Sequence, residues 1–315
     1  MVDSTVLERQ PLEFLWIELT NRCNLHCVHC YANSAPTATD DGALSTNDYF
    51  RLIAESARLG CRKLQFIGGE PTLNPSLPEF IRHARECGME FVEVYTNGRH
   101  IPDTLIECFV KHRVNVAVSF YSHNSDIHDA ITQVHGSHRA TVANLQRMVQ
   151  AALSVRVGII QMPLNEKSIS ETMQFVSGLG IREYGVDRAR KFGRAASSPS
   201  TTIDINELCG SCWQGSLCIH PDGQVSPCIM SREWTVGSIF ETPLSDIAQS
   251  ARLHRIRQRV YREVWLPSRE ISDPIESATA HGNCAPECTP TCHPRCSPSC
   301  QPCWPFGKCR PQTGS

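Results

Sequence analysis

The chain has 315 residues, 41% of them hydrophobic and 20% charged, with a net charge of −2; this is room for one large domain and a smaller module. There is no basic surplus to make nucleic acid the main partner, no apolar run near the ~18 residues of a membrane span, and no signal-peptide pattern in Met1 to Gln10. The expectation is a cytoplasmic protein with neither nucleic-acid nor membrane partners. One count is out of line: 17 cysteines, which a reducing compartment would keep out of disulfides and leave for metal.

In chain order, Phe14–Leu19 reads as a strand. Ser45 opens a helix with Asp48 as its capping partner, Leu52, Ile53 and Leu59 mark its apolar face, and Gly60 ends it. Lys63–Ile67 is the second strand and Leu77–Cys87 a helix. Phe91–Tyr95 is the third strand, turned by Asn97 and Gly98, with a helix over Asp103–His112. Val114–Phe120 and Val155–Gln161 are the fourth and fifth strands, with His138–Leu153 helical between them. Ser168–Leu179 is helical and Glu183–Asp187 is the sixth strand. Six βα units with short connections predict an α/β fold with a parallel sheet buried on both faces, able to curl into a partial barrel. In such folds the chemistry sits at the carboxyl ends of the strands. Past Phe192 the composition changes. Arg194–Thr202 reads as a linker, Thr242–Val264 as one or two helices, and His281–Pro311 as a proline- and cysteine-rich tract too poor in apolar residues to form a core.

The cysteines are clustered. Cys23, Cys27 and Cys30 follow the first strand in a C-x3-C-x2-C loop. Three thiolates in one loop can hold three corners of a [4Fe–4S] cube, leaving the fourth iron open to a substrate, as a catalytic zinc keeps one position open. Gly68-Gly69-Glu70-Pro71 follows the second strand, and Tyr95-Thr96-Asn97-Gly98 ends the third.

This conjunction resembles the radical S-adenosylmethionine (SAM) superfamily over roughly residues 12–195. The resemblance implies a partial (β/α)6 TIM-like barrel whose open iron binds SAM, and reductive cleavage of SAM to a 5′-deoxyadenosyl radical that abstracts a substrate hydrogen. It implies SAM contacts at Gly68, Gly69 and Glu70, which resemble the family's GGEP motif for the SAM amino group, at Asn97, and at Ser119 on the ribose or carboxylate side. It places His29 and Gly158 near the adenine and Arg188 near a carboxylate. An electron donor such as flavodoxin or ferredoxin is implied with it. Taken singly, Ser119 and Asn97 suit turns or caps as well, and Cys61, Cys87 and Cys108 read as packing cysteines.

The region 205–311 holds a second cysteine field. Cys212-x5-Cys218 and Gly223-x4-Cys228 surround a Pro221-Asp222-Gly223 turn, which predicts a hairpin bringing Cys218 and Cys228 to one metal centre. Cys300-x2-Cys303-x5-Cys309 forms another group. These pieces resemble the SPASM extension of radical SAM enzymes, which implies one or two auxiliary [4Fe–4S] clusters. Cys209 is then a spare or fourth ligand. The final cysteine of the SPASM run is absent, since Thr313 stands there. Either the ladder of Cys284, Cys288, Cys292 and Cys296 supplies ligands, or a single-cluster "twitch" type of extension forms. A structural zinc site is the alternative reading of Cys209–Cys228.

Two function classes follow. One is an oxidoreductase that modifies a ribosomally synthesised precursor peptide by crosslinking or epimerisation, as SPASM-type relatives do. Val118–Ser122, His128-Asp129 and Gly136-Ser137 also resemble a stretch of peptide-maturing members. Few residues precede residue 12, so peptide recognition would fall to a separate recognition protein or to the barrel. The other is a dehydrogenase or decarboxylase of a small molecule such as a sugar or aminocyclitol.

Overall fold

A computed structural model of the chain describes residues 10–40, 43–196 and 204–270. Six parallel strands, β1 (Phe14–Glu18), β2 (Lys63–Ile67), β3 (Phe91–Thr96), β4 (Asn115–Ser119), β5 (Val155–Gln161) and β6 (Glu183–Arg188), lie side by side in sequence order. Helices α1 (Thr46–Arg58), α2 (Leu77–Glu86), α3 (Asp103–Lys111), α4 (Ser125–Thr132), α5 (Ser137–Gln150) and α6 (Ile169–Gly178) connect them. This is the expected mixed α/β architecture with a parallel sheet. All five residues of β1 are buried, as a strand covered on both faces requires.

Local signals explain the elements. Ser45 caps α1 through a reciprocal box with Asp48: the Asp48 amide donates to Ser45 Oγ at 3.2 Å, and the Ser45 amide donates to Asp48 Oδ2 at 3.0 Å. Alternation then sorts the strands. Leu15 and Ile17 join the main core under the helices, while Phe14 and Trp16 face a second core that includes Cys212, Cys218 and Cys228. The inner face is also polar. Arg156 grips Glu93 through two hydrogen bonds of 2.7 Å, Gln65 donates to the same carboxylate, and the guanidinium lies 5.3 Å from the centre of the Tyr95 ring. Removing one partner of such a buried pair costs about 3–5 kcal/mol, because the other charge is stranded.

Two features depart from the sequence reading. The eight-residue helix α4 was not foreseen; Asn124 caps it, accepting from the amides of Asp126 and Ile127. The second is the way the later residues attach. Strand β7 (Ser216–Ile219) pairs in parallel with β1, with Trp16 opposite Cys218, and β8 (Gln224–Ser226) and β9 (Gly237–Ser238) follow antiparallel, so one nine-stranded sheet spans both halves. The predicted hairpin is thus β7–β8, turning through Pro221, Asp222 and Gly223. Helices α7 (Leu244–Ala248) and α8 (Ala251–Val260) occupy the stretch read as one or two helices. No helix among the described residues is long and apolar enough to cross a membrane.

Candidate active site and cysteine centres

The cysteine loop leaves β1 and is tied down from four directions. The Cys23 amide donates to Ala35 O at 3.1 Å. The glycine pair after β2 presses against the loop: the Gly69 amide donates to Thr20 O at 2.8 Å and the Glu70 amide to Arg22 O at 2.9 Å. A Cβ on Gly69 would lie 2.0 Å from Arg22 O and one on Gly68 2.8 Å from Thr20 O, so these positions admit no side chain. The chain that these glycines approach is the cysteine loop itself. From the opposite side, α4 offers its last carbonyls, Thr132 O to the His26 amide and Ile131 O to the Val28 amide, both at 3.0 Å. Arg194, read from sequence as the start of a linker, is a strut. Its Nε donates to Cys27 O and its Nη2 to Ser34 O, each at 2.7 Å, and its amide reaches Cys30 O at 3.0 Å.

Glu70 is almost fully buried, and protein donors engage both its oxygens: Thr72 through amide and hydroxyl, Thr96 through its hydroxyl at 2.6 Å, and the Asn97 amide at 2.8 Å. The carboxylate that the sequence offers to a ligand ammonium therefore braces the end of β3, and burial pushes its pKa up. Braced in this way, Asn97 directs its Nδ2 to Cys23 Sγ at 3.6 Å and to Asn24 Oδ1 at 2.7 Å.

The three cysteines converge. Burial, then the charge of Glu70, pushes the Cys23 thiol up to about 12; burial, then its neighbours Cys23 and Cys30, does the same to Cys27. Left alone, Cys23 and Cys27 are neutral thiols, so metal loading must displace their protons. Beside them, His29 packs edge-on against Tyr121 with ring centres 4.9 Å apart, and its buried Nδ1 has no hydrogen-bond partner. An unpaired buried nitrogen is costly without a ligand. Tyr121, whose hydroxyl lies 4.0 Å from Cys27 Sγ, was missed in the sequence, where nothing separated it from a core aromatic.

Other expected contacts have different neighbours. A Cβ on Gly158 would lie 2.3 Å from the Tyr95 hydroxyl, so the missing side chain makes room for that ring. Ser119 stands opposite Gly158 across β4 and β5 and hydrogen-bonds Tyr121. Arg188, at the end of β6, is half exposed and bonds Glu207 Oε2 at 2.7 Å; its carboxylate partner belongs to the protein.

The second centre lies across β1. Cys212 and Cys228 have their sulfurs 2.8 Å apart, Cys209 also bonds Cys212, and Cys218 is fully buried on β7. Hydrogen bonds to Cys209 and Cys228 raise the Cys212 thiol well above its ordinary value; burial, then Glu18, does so for Cys218. Arg257 on α8 is 6% exposed and reaches only carbonyls, Ser216 O at 3.1 Å and Gln10 O at 3.5 Å. Its Nε has no partner, no carboxylate among the described residues pairs with it, and burial pushes it down to about 10 against the pull of Cys212. A buried cation without a carboxylate, within the field of Cys212, fits an anionic thiolate-bound metal group. Cys300, Cys303, Cys309 and the Cys284–Cys296 ladder lie outside the described residues.

Comparison with known proteins gives the family. Residues 17–176 match the model of the radical SAM superfamily, and residues 209–304 that of an iron-sulfur cluster-binding domain. The chain is 27% identical over 274 residues to the antilisterial bacteriocin subtilosin biosynthesis protein AlbA of Bacillus subtilis, covering 76% of this chain and 60% of that protein. It is 23% identical over 291 residues to the sporulation killing factor maturation protein SkfB of the same organism, covering 82% and 70%. In fold it is similar to Streptococcus suis SuiB bound to S-adenosylmethionine, with a TM-score of 0.65 at 16% identity over 79% of this chain and 68% of that one. SuiB bound to its precursor peptide SuiA gives 0.64 at 16% identity over 79% and 67%.

Proposed function

We propose, from the premise that this chain belongs to the radical SAM superfamily and carries an iron–sulfur cluster-binding domain behind its barrel, that it is a maturase of a ribosomally synthesised peptide. It is an enzyme of the radical SAM oxidoreductase type, and its cofactors are a [4Fe–4S] cluster, SAM and auxiliary iron–sulfur. Cys23, Cys27 and Cys30 hold the first cluster in this reading, and Cys209, Cys212, Cys218 and Cys228 are the described candidates for the second. When bound there, that cluster and SAM would supply the one-electron chemistry by which a substrate hydrogen is abstracted.

The chain's own residues do the positioning. Gly68 and Gly69 fix the cysteine loop against β2, Glu70 fixes Asn97, and Asn97 steadies the Cys23 sulfur. His29 offers an unpaired nitrogen beside Tyr121, where a heteroaromatic ring with one donor would satisfy it. Arg194 and the carbonyl end of α4 hold the loop's other side.

One observation supports the reading: β1 joins the two cysteine centres, with the Cys23–Cys30 loop leaving its end and Cys218 standing opposite Trp16 on β7. Crosslinking would remove two hydrogens, one as an atom and one as a proton and an electron, and Cys209, Cys212, Cys218 and Cys228 would hold the group that accepts that electron. The peptide class draws support from the relatives, which are by name a bacteriocin biosynthesis protein, a peptide maturation protein and a protein bound to a precursor peptide.

The test is an anaerobic incubation of the full chain with SAM, dithionite and short peptides encoded beside its gene. A peptide lighter by two hydrogens indicates a crosslink. Mass unchanged in ordinary water but one unit heavier after reaction in heavy water indicates epimerisation. Deoxyadenosine production stimulated by a sugar or aminocyclitol, and by no peptide, would overturn the peptide reading.

A further inference from the structure

One face of α8, and of the helical turn Tyr261–Trp265 that continues it, carries charge that little in the protein answers. Residues 251–262 hold five arginines and no acidic residue, in a chain whose 30 basic and 32 acidic side chains nearly balance. Arg257 is turned inward, to the Ser216 carbonyl. The other four, Arg252, Arg255, Arg259 and Arg262, are exposed. Their spacing of three, four and three residues sets them within an arc of about 80° and along about 15 Å of helix. Leu253 and Val260, buried against the body of the protein, fix which side of the helix looks outward.

Of the four, only Arg259 pairs with a carboxylate among the described residues: its Nε donates to Glu263 at 3.0 Å, with both side chains half exposed. Elsewhere in this half of the chain a guanidinium is used inside the protein, as Arg232 is by Glu18. Helix stability does not select such a stripe. Like charges three and four residues apart repel, and Arg252 stands in the first turn, where the helix dipole favours acids. All five cations are arginine, whose planar fork takes a carboxylate through two parallel hydrogen bonds, which a lysine cannot do. The stripe runs towards the second cysteine centre. A Cβ on Gly210, between Cys209 and Cys212, would lie 3.3 Å from the Trp265 Cα.

We propose that this arginine face is a docking surface for an acidic segment of the precursor peptide, one with carboxylates at the matching helical spacing, so that one part of the peptide is anchored while another reacts. Charge complementarity supplies the recognition. A stripe of about 15 Å matches about ten residues of helical peptide, whereas a nucleic acid would call on the wider basic surface that this chain lacks. The proposal rests on the peptide-maturase reading.

The test uses the full chain, reconstituted anaerobically. The probe is a fluorescein-labelled, alanine-rich peptide with glutamates three, four and three residues apart, beside its glutamine counterpart, and anisotropy reads binding. Arg252→Glu with Arg262→Glu should weaken binding of the glutamate peptide by about tenfold or more. The same pair should leave iron content and peptide-free deoxyadenosine formation unchanged. Arg252→Lys with Arg262→Lys should lose less. Arg58→Glu with Arg182→Glu, an equal change of charge at two other exposed arginines, should leave binding unmoved. An equal loss in both Glu pairs, binding of the glutamine peptide as tight as that of the glutamate one, or no binding by the parent, would overturn the proposal. A DNA duplex that binds more tightly than the peptide and is released by the same pair would overturn it in favour of a nucleic-acid face. In turnover of a precursor peptide that the parent modifies, the charge reversal should raise KM and hold kcat. An unmoved KM would overturn the docking surface and leave the maturase reading standing. A parent that modifies no peptide would bring down that reading, and the proposal with it.

Discussion

Asn97 donates from a single side-chain nitrogen to the Cys23 sulfur, at 3.6 Å, and to Oδ1 of Asn24, at 2.7 Å. A hydrogen bond to sulfur favours the thiolate, the form that binds iron. Asn97→Ala should therefore weaken iron retention at the first centre, and Asn97→Asp should weaken it more by setting a negative oxygen against the thiolate. Iron loss to a chelator over time measures both. Equal retention in the Asp variant would mean the contact does not persist around the cluster.

Gly69 and Gly158 separate two reasons for a glycine. Gly69→Ala would place a methyl 2.0 Å from the Arg22 carbonyl, which is backbone and cannot rotate away. It should abolish the first cluster and spare the second, visible as a partial loss of iron. Gly158→Ala meets only the Tyr95 hydroxyl. Overpacking of this kind costs ~1–3 kcal/mol, and Tyr95→Phe in the same chain should restore part of the lost melting temperature. An additive double variant would show that the clash is not the cause.

His128 gives the fold a pH dependence. It is almost fully buried on α4, its Nδ1 faces the Tyr121 amide at 3.4 Å, and burial, then His138, pushes its pKa down to about 3. A folded value below the unfolded value of about 6.5 means that stability is full above pH 6.5 and is lost as pH falls towards 3. The loss should reach up to ~1.4 kcal/mol per pH unit. His128→Phe should flatten this acid limb in urea titrations. Because α4 carbonyls hold His26 and Val28, loosening α4 should also speed iron loss from the first centre.

Arg257 should matter to the second centre alone. Arg257→Gln removes the buried cation beside Cys212 and should release auxiliary iron while the first centre keeps its own. Arg257→Lys, which keeps the charge, should recover part of it. Iron content and Mössbauer spectra of the two variants report this directly. Loss of both centres together would point to a folding role through the Ser216 and Gln10 carbonyls.

Much of the barrel could be read in the sequence because its signals are local. β2 and β5 fall on the predicted residues, and the Ser45–Asp48 box marks the start of α1. The helix α4 escaped because eight residues give barely two turns of periodicity, and its Asn124 cap looks like any turn residue. The cysteine spacing and the glycine pair flagged the first site. Their partners were hidden, because nothing local says that Gly69 meets Arg22, that Glu70 serves Asn97, or that Arg188 meets Glu207. Arg194, Arg232 and Arg257 were passed over for the same reason: each acts on residues far away in the chain. The attachment of β7 was equally hidden, since a four-residue strand does not name its neighbour.

That attachment also decides what becomes of the barrel when it is isolated. One side of Phe14–Ile17 pairs with Ser216–Ile219, and the Phe14 amide reaches Gly215 O. A fragment ending before residue 204 would bare a straight, apolar edge carrying Phe14 and Trp16, the kind of edge on which sheets of separate molecules stack into aggregates. The later residues thus cover an edge that the earlier ones would otherwise leave open to pairing with another molecule.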